Sequence, residues 1–108
     1  MKATEINFVK LNIVHLKKGK RVQNTQNLRE FFEGINKKIK GMKGFIIMDN
    51  LQNAQETVVV TLWETKEDMD KYYREDNKLL SDLVIKSRAN FESSPIRKDY
   101  EITGLDIY

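Results

Sequence analysis

The chain contains no cysteine, one proline, one histidine and no long apolar run. Disulfides, thiolate metal sites and cysteine nucleophiles are therefore excluded, and a reducing cytoplasm is the expected location. A single histidine among scattered acids makes neither a recognisable metal site nor a Ser-His-Asp arrangement, and no glycine loop for phosphate is present. Lys10 and Asn12 interrupt the apolar N-terminal segment, so we expect no signal peptide and no membrane span.

Neither sign of charge dominates, because 19 basic residues face 16 acidic ones and the net charge is +3. Such a mixture is not typical of a nucleic-acid-binding domain, so we expect no nucleic-acid partner. One basic run, KKGKR (17–21), follows the first strand. It is either a solvated loop or a collar that attracts an anionic ligand. At 108 residues, the chain predicts a single domain covering 1–108.

Two predicted strands, INFVKLNIVHL (6–16) and TVVVTLW (57–63), are apolar on both faces. In the first, Phe8 and Val14 flank Asn12 on one face, while Val9 and Ile13 lie on the other. A strand with one face in water would alternate apolar and polar residues. Since so short a chain has few helices with which to cover two sheet faces, we predict that the second face packs against another copy. The expected assembly is a homodimer with a separate pocket in each subunit.

The order of elements is β-α-β-β-α-(α)-β. We expect the first helix to open at a capping box formed by Asn27 and Glu30 and to continue through Ile39. The remaining elements are expected to be a strand at 45–51, a strand at 56–64, a helix opened by the TKED capping box at 65–68, a helix at 78–91 and a strand at 96–108. This order predicts an α+β fold, a ferredoxin-like antiparallel sheet with helices on one face.

The segment from Trp63 to Ile96 carries a family resemblance. Its landmarks are Trp63 at a strand end, Lys66 three residues later, an acidic break at 75–76 and the tail ESSPI at 92–96. The first strand, FVKLNIVHLKKG, and the pair GF at 44–45 match as well. Over nearly its whole length, the chain resembles the antibiotic biosynthesis monooxygenase superfamily, and within it most closely the haem-degrading (IsdG-type) branch.

The resemblance implies a dimeric α+β barrel with flat hydrophobic substrates bound between helices and sheet. Some members insert oxygen into polycyclic aromatic phenols without metal or flavin, whereas the IsdG-type branch holds haem through a helical histidine and degrades it. The expected function is therefore a small monooxygenase acting on a flat aromatic or haem-like ligand. The alternatives are a non-catalytic haem or hydrophobic-ligand binding protein of the same fold, and a dimeric domain whose pocket its own side chains fill.

Two positions depart from the family pattern. Asp82 stands where the haem-ligating histidine would be, and Tyr72 stands where the haem-contacting tryptophan would be. A carboxylate is a poor substitute for imidazole on haem iron. The sequence therefore assigns no definite cofactor and leaves haem open as substrate or cofactor.

The residues expected to be catalytic are Asn12, Trp63 and Tyr72. Asn12 matches the family's active-site asparagine and is either a donor to a substrate carbonyl or bound oxygen, or a structural amide with its hydrogen bonds satisfied. The Trp63 side chain is either core or a pocket wall whose N–H points at a ligand. Of Tyr72 and Tyr73, we expect one to pack and the other to face the pocket, where its phenol could bind a substrate oxygen.

The residues expected to bind substrate are Phe8, Tyr73, Asp82 and Leu83. Asp82 points away from the apolar helical face that carries Leu83, so a solvated aspartate is the alternative there. If Asp82 were buried, its raised pKa would make it a candidate base. The sole histidine, His15, lies on the strand face assigned to the dimer.

Overall fold

The computed structural model describes residues 5–35, 38–74 and 76–108. In these ranges the strands are β1 (Phe8–His15), β2 (Met42–Asp49), β3 (Glu56–Trp63) and β4 (Ile96–Glu101), and the α-helices are α1 (Arg21–Gly34), α2 (Lys66–Tyr72) and α3 (Lys78–Ser87). The strands pair antiparallel in the order β2-β3-β1-β4. The predicted α+β ferredoxin-like fold is therefore confirmed.

One face of the sheet carries the helices and the core. Val59 of β3 packs with Leu28, Phe32 and Ile35 from α1 and its C-terminal end. Four residues further along β3, the side chain of Trp63 is fully buried against α2. Because alternate residues of a strand point to the same face, the odd-numbered residues of β3 form the floor beneath all three helices.

The opposite face of the sheet has no element of the described chain over it, yet it is largely apolar. The strand register brings together on this face the side chains that alternate with the core-facing ones. Its apolar members are Val9, Leu11, Ile13, Ile46, Met48, Val58, Val60, Leu62, Ile96 and Tyr100, and its polar members include Lys98 on β4 and the pair His15 and Glu56. We call this surface the open face. Ile46 and Met48 are each 45% exposed, and Ile96 and Tyr100 are each 48% exposed.

The first helix begins earlier than the sequence predicts. α1 starts at Arg21, and Asn27 lies inside it, where its side chain accepts a hydrogen bond from Gln23. The predicted capping box at Asn27 is therefore wrong. The inner face of the first two turns holds Asn24 instead of an apolar residue, so hydrophobic periodicity could not reveal those turns. The helix ends at Gly34, so it does not continue through Ile39 as predicted.

The two predicted middle strands form the expected antiparallel hairpin, although β2 runs from Met42 to Asp49 and not from 45 to 51. The last strand is shorter than predicted. β4 stops at Glu101, which pairs with Phe8, the first residue of β1, so no further strand partner exists for 102–108.

The helices α2 and α3 begin at side-chain caps. The Thr65 hydroxyl accepts from the backbone N–H of Asp68, as the TKED pattern predicts, and the Asn77 side chain accepts from the N–H of Leu80. α3 ends at Ser87 and a 3₁₀ turn (Arg88–Asn90) follows, so the helix is shorter than the predicted 78–91. None of the helices described is both long and apolar enough to cross a membrane.

Candidate functional site

A cavity of about 60 Å³ lies between the sheet and the helices. By the measure in which one water needs roughly 10–15 Å³, it has room for a handful of water molecules. Its apolar walls include Val14, Leu28, Phe32, Val59, Leu83 and Val84. Its polar lining consists of Asn12, Asn24, Tyr72, Tyr73, Ser87 and Arg97. A mostly apolar cavity with a few convergent polar groups is the usual form of a small-molecule site.

The side chain of Asn12 is held from three directions. Its Nδ2 donates to the carbonyl oxygen of Val59 (3.1 Å) and to the hydroxyl of Tyr73 (3.3 Å). Its Oδ1 accepts from Nε of Arg97 (3.1 Å). The amide is thus satisfied within the protein, as the structural interpretation expected, and it also fixes the position of the Tyr73 hydroxyl.

The Tyr73 hydroxyl belongs to a chain of hydrogen bonds with one proton to spare. The indole N–H of Trp63 can only donate, and it donates to Oγ1 of Thr61 (2.9 Å). Thr61 and Tyr73 share one bond (2.9 Å) and have two hydroxyl protons between them. Because Tyr73 lines the cavity and Thr61 does not, donation by Thr61 leaves the Tyr73 proton free for a ligand.

Two cationic side chains lie close to the Tyr73 ring. Nζ of Lys10 lies 4.3 Å from the ring centroid, and the guanidinium carbon of Arg97 lies 5.0 Å from it. Lys10 is paired with Asp99 (3.0 Å). Burial raises the pKa of the Tyr73 phenol above its ordinary value, although the hydrogen bonds from Thr61 and Asn12 and the charge of Arg97 oppose this. Tyr73 is therefore a protonated donor at neutral pH.

The structure brings four of the seven predicted site residues to the cavity: Asn12, Tyr72, Tyr73 and Leu83. Both tyrosines line the cavity, and Tyr72 also packs against Trp63 with ring centroids 5.3 Å apart. Tyr73 is the tyrosine whose hydroxyl reaches the polar group.

The other three predicted residues do not line the cavity. The indole N–H of Trp63 is bound to Thr61, so this side chain occupies the core. Phe8 packs on the cluster around Trp63. Asp82 is exposed, in a groove beside Asn27 and Lys86. For Asp82, the solvated alternative describes its position.

Sequence reasoning did not select Thr61, Arg97, Asn24 or Ser87 as site residues. Thr61 lies between Val59 and Trp63 on the buried face, and a polar residue at such a position is a usable signal. Ser87 shares the helical face of Leu83 and Val84, which was recognised only as a packing face. Arg97 comes to the site because β4 pairs it with Asn12, and no local pattern predicts that pairing.

The basic run after β1 does not reach the cavity. Residues 17–20 are exposed, as expected for a solvated loop. Arg21 instead turns toward the β2–β3 connection, where its Nη2 donates to the carbonyl oxygens of Asn50, Asn53 and Glu56. This residue therefore ties α1 to the hairpin.

The cavity residues do not fit a haem iron. The usual protein ligands of haem iron are histidine, cysteine, methionine and tyrosine. The sole histidine, His15, is on the open face, 3.5 Å from Glu56, and no methionine lines the cavity. Of the two tyrosines in the lining, Tyr73 has its oxygen held by two neighbours, and burial raises the pKa of Tyr72, which opposes the phenolate that would bind iron. Nor does the described part of the chain contain a cluster of three or more metal-binding side chains.

No protein-family model and no curated protein sequence matches the chain. Solved structures do. The "Putative antibiotic biosynthesis monooxygenase from Nitrosomonas europaea" superposes with a TM-score of 0.76 at 12% identity, covering 95% of this chain and 96% of that one. A protein of Chloroflexus aurantiacus with the same description has a TM-score of 0.71 at 10% identity, covering 93% and 96%. The chain has the fold of these proteins.

A third structure, from Bacteroides thetaiotaomicron, is described as a conserved protein of unknown function and possible oxidoreductase. It superposes with a TM-score of 0.68 at 13% identity, covering 89% of this chain and 98% of that one. At such identities the likeness concerns the fold alone. Any function must therefore be argued from the cavity itself.

Proposed function

We propose that this protein is a small monooxygenase of the antibiotic-biosynthesis type, which oxidises a flat, hydroxylated aromatic substrate in the cavity between sheet and helices. The observation that carries the proposal is the placement of the Tyr73 hydroxyl and the Arg97 guanidinium, both beside Asn12, in a mostly apolar cavity. Apolar walls accept fused rings, and the donor and the cation suit an oxygen substituent that becomes negatively charged.

The chemistry needs no bound metal if the substrate supplies the electrons to dioxygen. A ring methylene beside a phenol suits this, because its conversion to a carbonyl releases four electrons. One oxygen atom of O₂ enters the product, and the other leaves as water with the two hydrogens of the methylene. The role of the protein is to exclude water and hold the ring in one orientation.

Each polar residue has a defined part in this proposal. Arg97 stabilises the phenolate form of the substrate, from which electrons are lost most readily. Tyr73 donates its spare proton to the same oxygen, and Asn12 and Thr61 hold that phenol in position. Asn12 is thus a positioning residue in this proposal, since its own amide hydrogens are already used.

The proposal includes a homodimer formed through the open face. This surface carries apolar residues on all four strands, and leaving them in water is unfavourable by about 25 cal/mol for each Å² of apolar area. A contiguous patch of this kind marks an interaction surface. Packing of two such sheets leaves the cavity of each subunit on its outer side. The cytoplasmic location expected from the sequence stays a prediction.

The test is oxygen uptake by the purified protein, without added metal or cofactor, when it is supplied with a hydroxylated anthrone. We expect one O₂ to be consumed for each methylene converted to carbonyl. An oxygen electrode measures the O₂ consumed, and mass spectrometry measures the carbonyl product. Tyr73→Phe should lower kcat/KM about 10- to 100-fold, the effect of losing a hydrogen bond to a charged group. Tyr100→Phe, the same change on the open face, is the matched control.

The proposal would be contradicted if the wild-type protein took up no oxygen with the anthrone. It would also be contradicted if Tyr73→Phe took up oxygen as fast as the wild-type protein. Binding of the anthrone without oxygen uptake would instead favour the second candidate, a non-catalytic carrier of hydrophobic ligands. One observation favours that candidate: apart from Arg97, the only titratable groups lining the cavity are the phenols of Tyr72 and Tyr73. Among the described residues, no carboxylate or imidazole lines the cavity to act as a base.

Haem is tested separately, since the donor set argues against it. We expect no shift or bleaching of the Soret band when the protein is mixed with haem and a reductant. Asp82→His should not create tight haem binding either, because position 82 is outside the cavity. A shifted band that bleaches on reduction would restore the haem-degrading hypothesis.

A further inference from the structure

A second polar group lines the cavity, and nothing in the fold explains it. Asn24 is 1% exposed and Ser87 is 3% exposed. Among the described residues, neither amide atom of Asn24 nor the Ser87 hydroxyl has a hydrogen-bond partner. Both side chains line the cavity. Since nearly all buried polar groups in proteins are hydrogen-bonded, two unpaired residues in one cavity wall call for a partner that enters the cavity.

These residues lie at the other end of the cavity from Tyr73. Asn24 is in the first turn of α1, which follows β1 after a short connection, and Ser87 ends α3 just before the turn that leads to Phe91. The backbone of Phe91 pairs with Leu16, beyond the end of β1. Asn12 and Leu16 are four residues apart on extended chain, about 13 Å at the usual rise per residue.

The chemistry of this end of the cavity is neutral. An asparagine amide offers two donors and an acceptor, and a serine hydroxyl offers one donor and accepts. Arg97, the only charged lining residue within 5–35, 38–74 and 76–108, pairs with Asn12 at the opposite end. A carboxylate or ammonium group would lose its hydration without finding a counter-charge. A hydroxyl group, which both donates and accepts, matches the pair.

We propose that Asn24 and Ser87 form a second subsite, which binds an uncharged hydroxyl on the edge of the ligand farthest from Tyr73. This inference rests on the proposed aromatic ligand and narrows it to a fused-ring compound with oxygen substituents at both ends. The Tyr73 end receives the oxygen that becomes charged, and the Asn24 end receives the neutral one. The subsite thereby sets which way round the ligand lies.

The test compares two probes by fluorescence titration: anthracene with a hydroxyl at one end, and anthracene with hydroxyls at both ends. We expect wild-type protein to bind the second probe about 5- to 10-fold more tightly, as expected for one or two additional neutral hydrogen bonds. Asn24→Leu and Ser87→Ala should each reduce this preference to less than about 2-fold. Neither should weaken binding of the probe with one hydroxyl.

Thr25→Val is the matched control. The Thr25 hydroxyl is also buried without a partner, but Thr25 does not line the cavity. This variant should therefore keep the full preference. The subsite would be overturned if Asn24→Leu and Ser87→Ala kept the preference for the probe with two hydroxyls. It would also be overturned if wild-type protein bound both probes equally, because water alone would then occupy this end of the cavity.

A second measurement separates this proposal from the proposed function. Because the Ser87 hydroxyl has no partner in the ligand-free protein, Ser87→Ala should leave the urea midpoint unchanged or raise it. A lowered midpoint would show a structural partner and overturn the subsite whether or not any probe binds. Tight, selective binding without oxygen uptake would refute the enzyme and keep the subsite, whereas failure to bind either probe would refute both.

Discussion

At the scale of single residues, the site depends on polar side chains that would be expensive to bury alone. Thr61 is 1% exposed and Trp63 is fully buried, yet each has a partner in the chain that leads to Tyr73. A network satisfied at every member is rigid, whereas one with a gap is unfavourable. When Thr61 donates the bond that it shares with Tyr73, the one unused hydroxyl proton is at Tyr73, which lines the cavity.

Burial of the Tyr72 phenol should make the stability of the protein depend on pH. Burial is the largest cause that raises the pKa of its phenol well above the ordinary value near 10. As the pH rises, the unfolded chain therefore loses the Tyr72 proton before the folded protein does. Burial of the neutral phenol contributes its full stability below about pH 10, and this contribution declines as the pH rises further. We expect the urea midpoint of wild-type protein to fall above pH 10. Tyr72→Phe should fall less steeply, and equal slopes would contradict the assignment.

At the scale of elements, the connection into β2 depends on one glycine. Gly41 has φ of +79°, and its carbonyl oxygen accepts from the N–H of Glu64 (3.0 Å). A Cβ atom at this position would collide with the side chain of Asp68, coming within 2.7 Å of its Cβ. Asp68 is fixed in turn because its N–H is bound to the capping hydroxyl of Thr65. The start of α2 and the entry to β2 are therefore fitted to each other.

Gly41→Ala and Gly19→Ala form a matched pair that separates collision from backbone strain. Gly19 has the same φ of +79°, but no atom lies within 4 Å of an added Cβ. We expect Gly19→Ala to lower the free energy of unfolding by about 1–2 kcal/mol. Gly41→Ala should lower it by about 1–3 kcal/mol more, since the extra methyl group is forced against Asp68. Urea denaturation measures both, and equal losses would show that Asp68 moves aside freely.

At the scale of the whole molecule, the two faces of the sheet differ in what covers them. The helix side contains the core and the cavity. The open face has apolar residues on every strand and no covering element among the described residues. One chain of this size cannot cover both sides with α1, α2 and α3. The proposed dimer follows from that shortage.

Ile46→Lys tests the dimer with little risk to the subunit. The side chain is 45% exposed in a single chain, so a lysine there can reach water. In a dimer packed through the open face, the ammonium group would be buried without a partner. We therefore expect sedimentation at micromolar concentration to find wild-type dimers and Ile46→Lys monomers.

The control for this experiment is Val22→Lys. It places the same charge on α1, at a residue that is 79% exposed and distant from the open face. This variant should remain dimeric. A wild-type protein that sediments as a folded monomer would contradict the proposed assembly and leave the cavity argument to stand without it.

Three features could be read from the residues alone: the order of the elements, the two apolar faces of β1 and β3, and the inner face of α3 with Leu83 and Val84. These features repeat at the period of a strand or a helix, so they can be recognised within a short window of the chain. The Thr65 cap is equally local. The start of α1 escaped recognition because the polar Asn24 occupies its inner face.

The composition of the site, in contrast, depends on how the folded elements meet. Tyr73 is 61 residues from Asn12, and Arg97 is 85 residues from it. Their meeting depends on strand register and on how the end of α2 lies over the sheet, and neither is encoded in a local pattern. Hydrogen bonds between distant residues form only when the strands are paired in the sheet. Apolar periodicity, in contrast, is a property of each short segment and can be recognised before the fold is known.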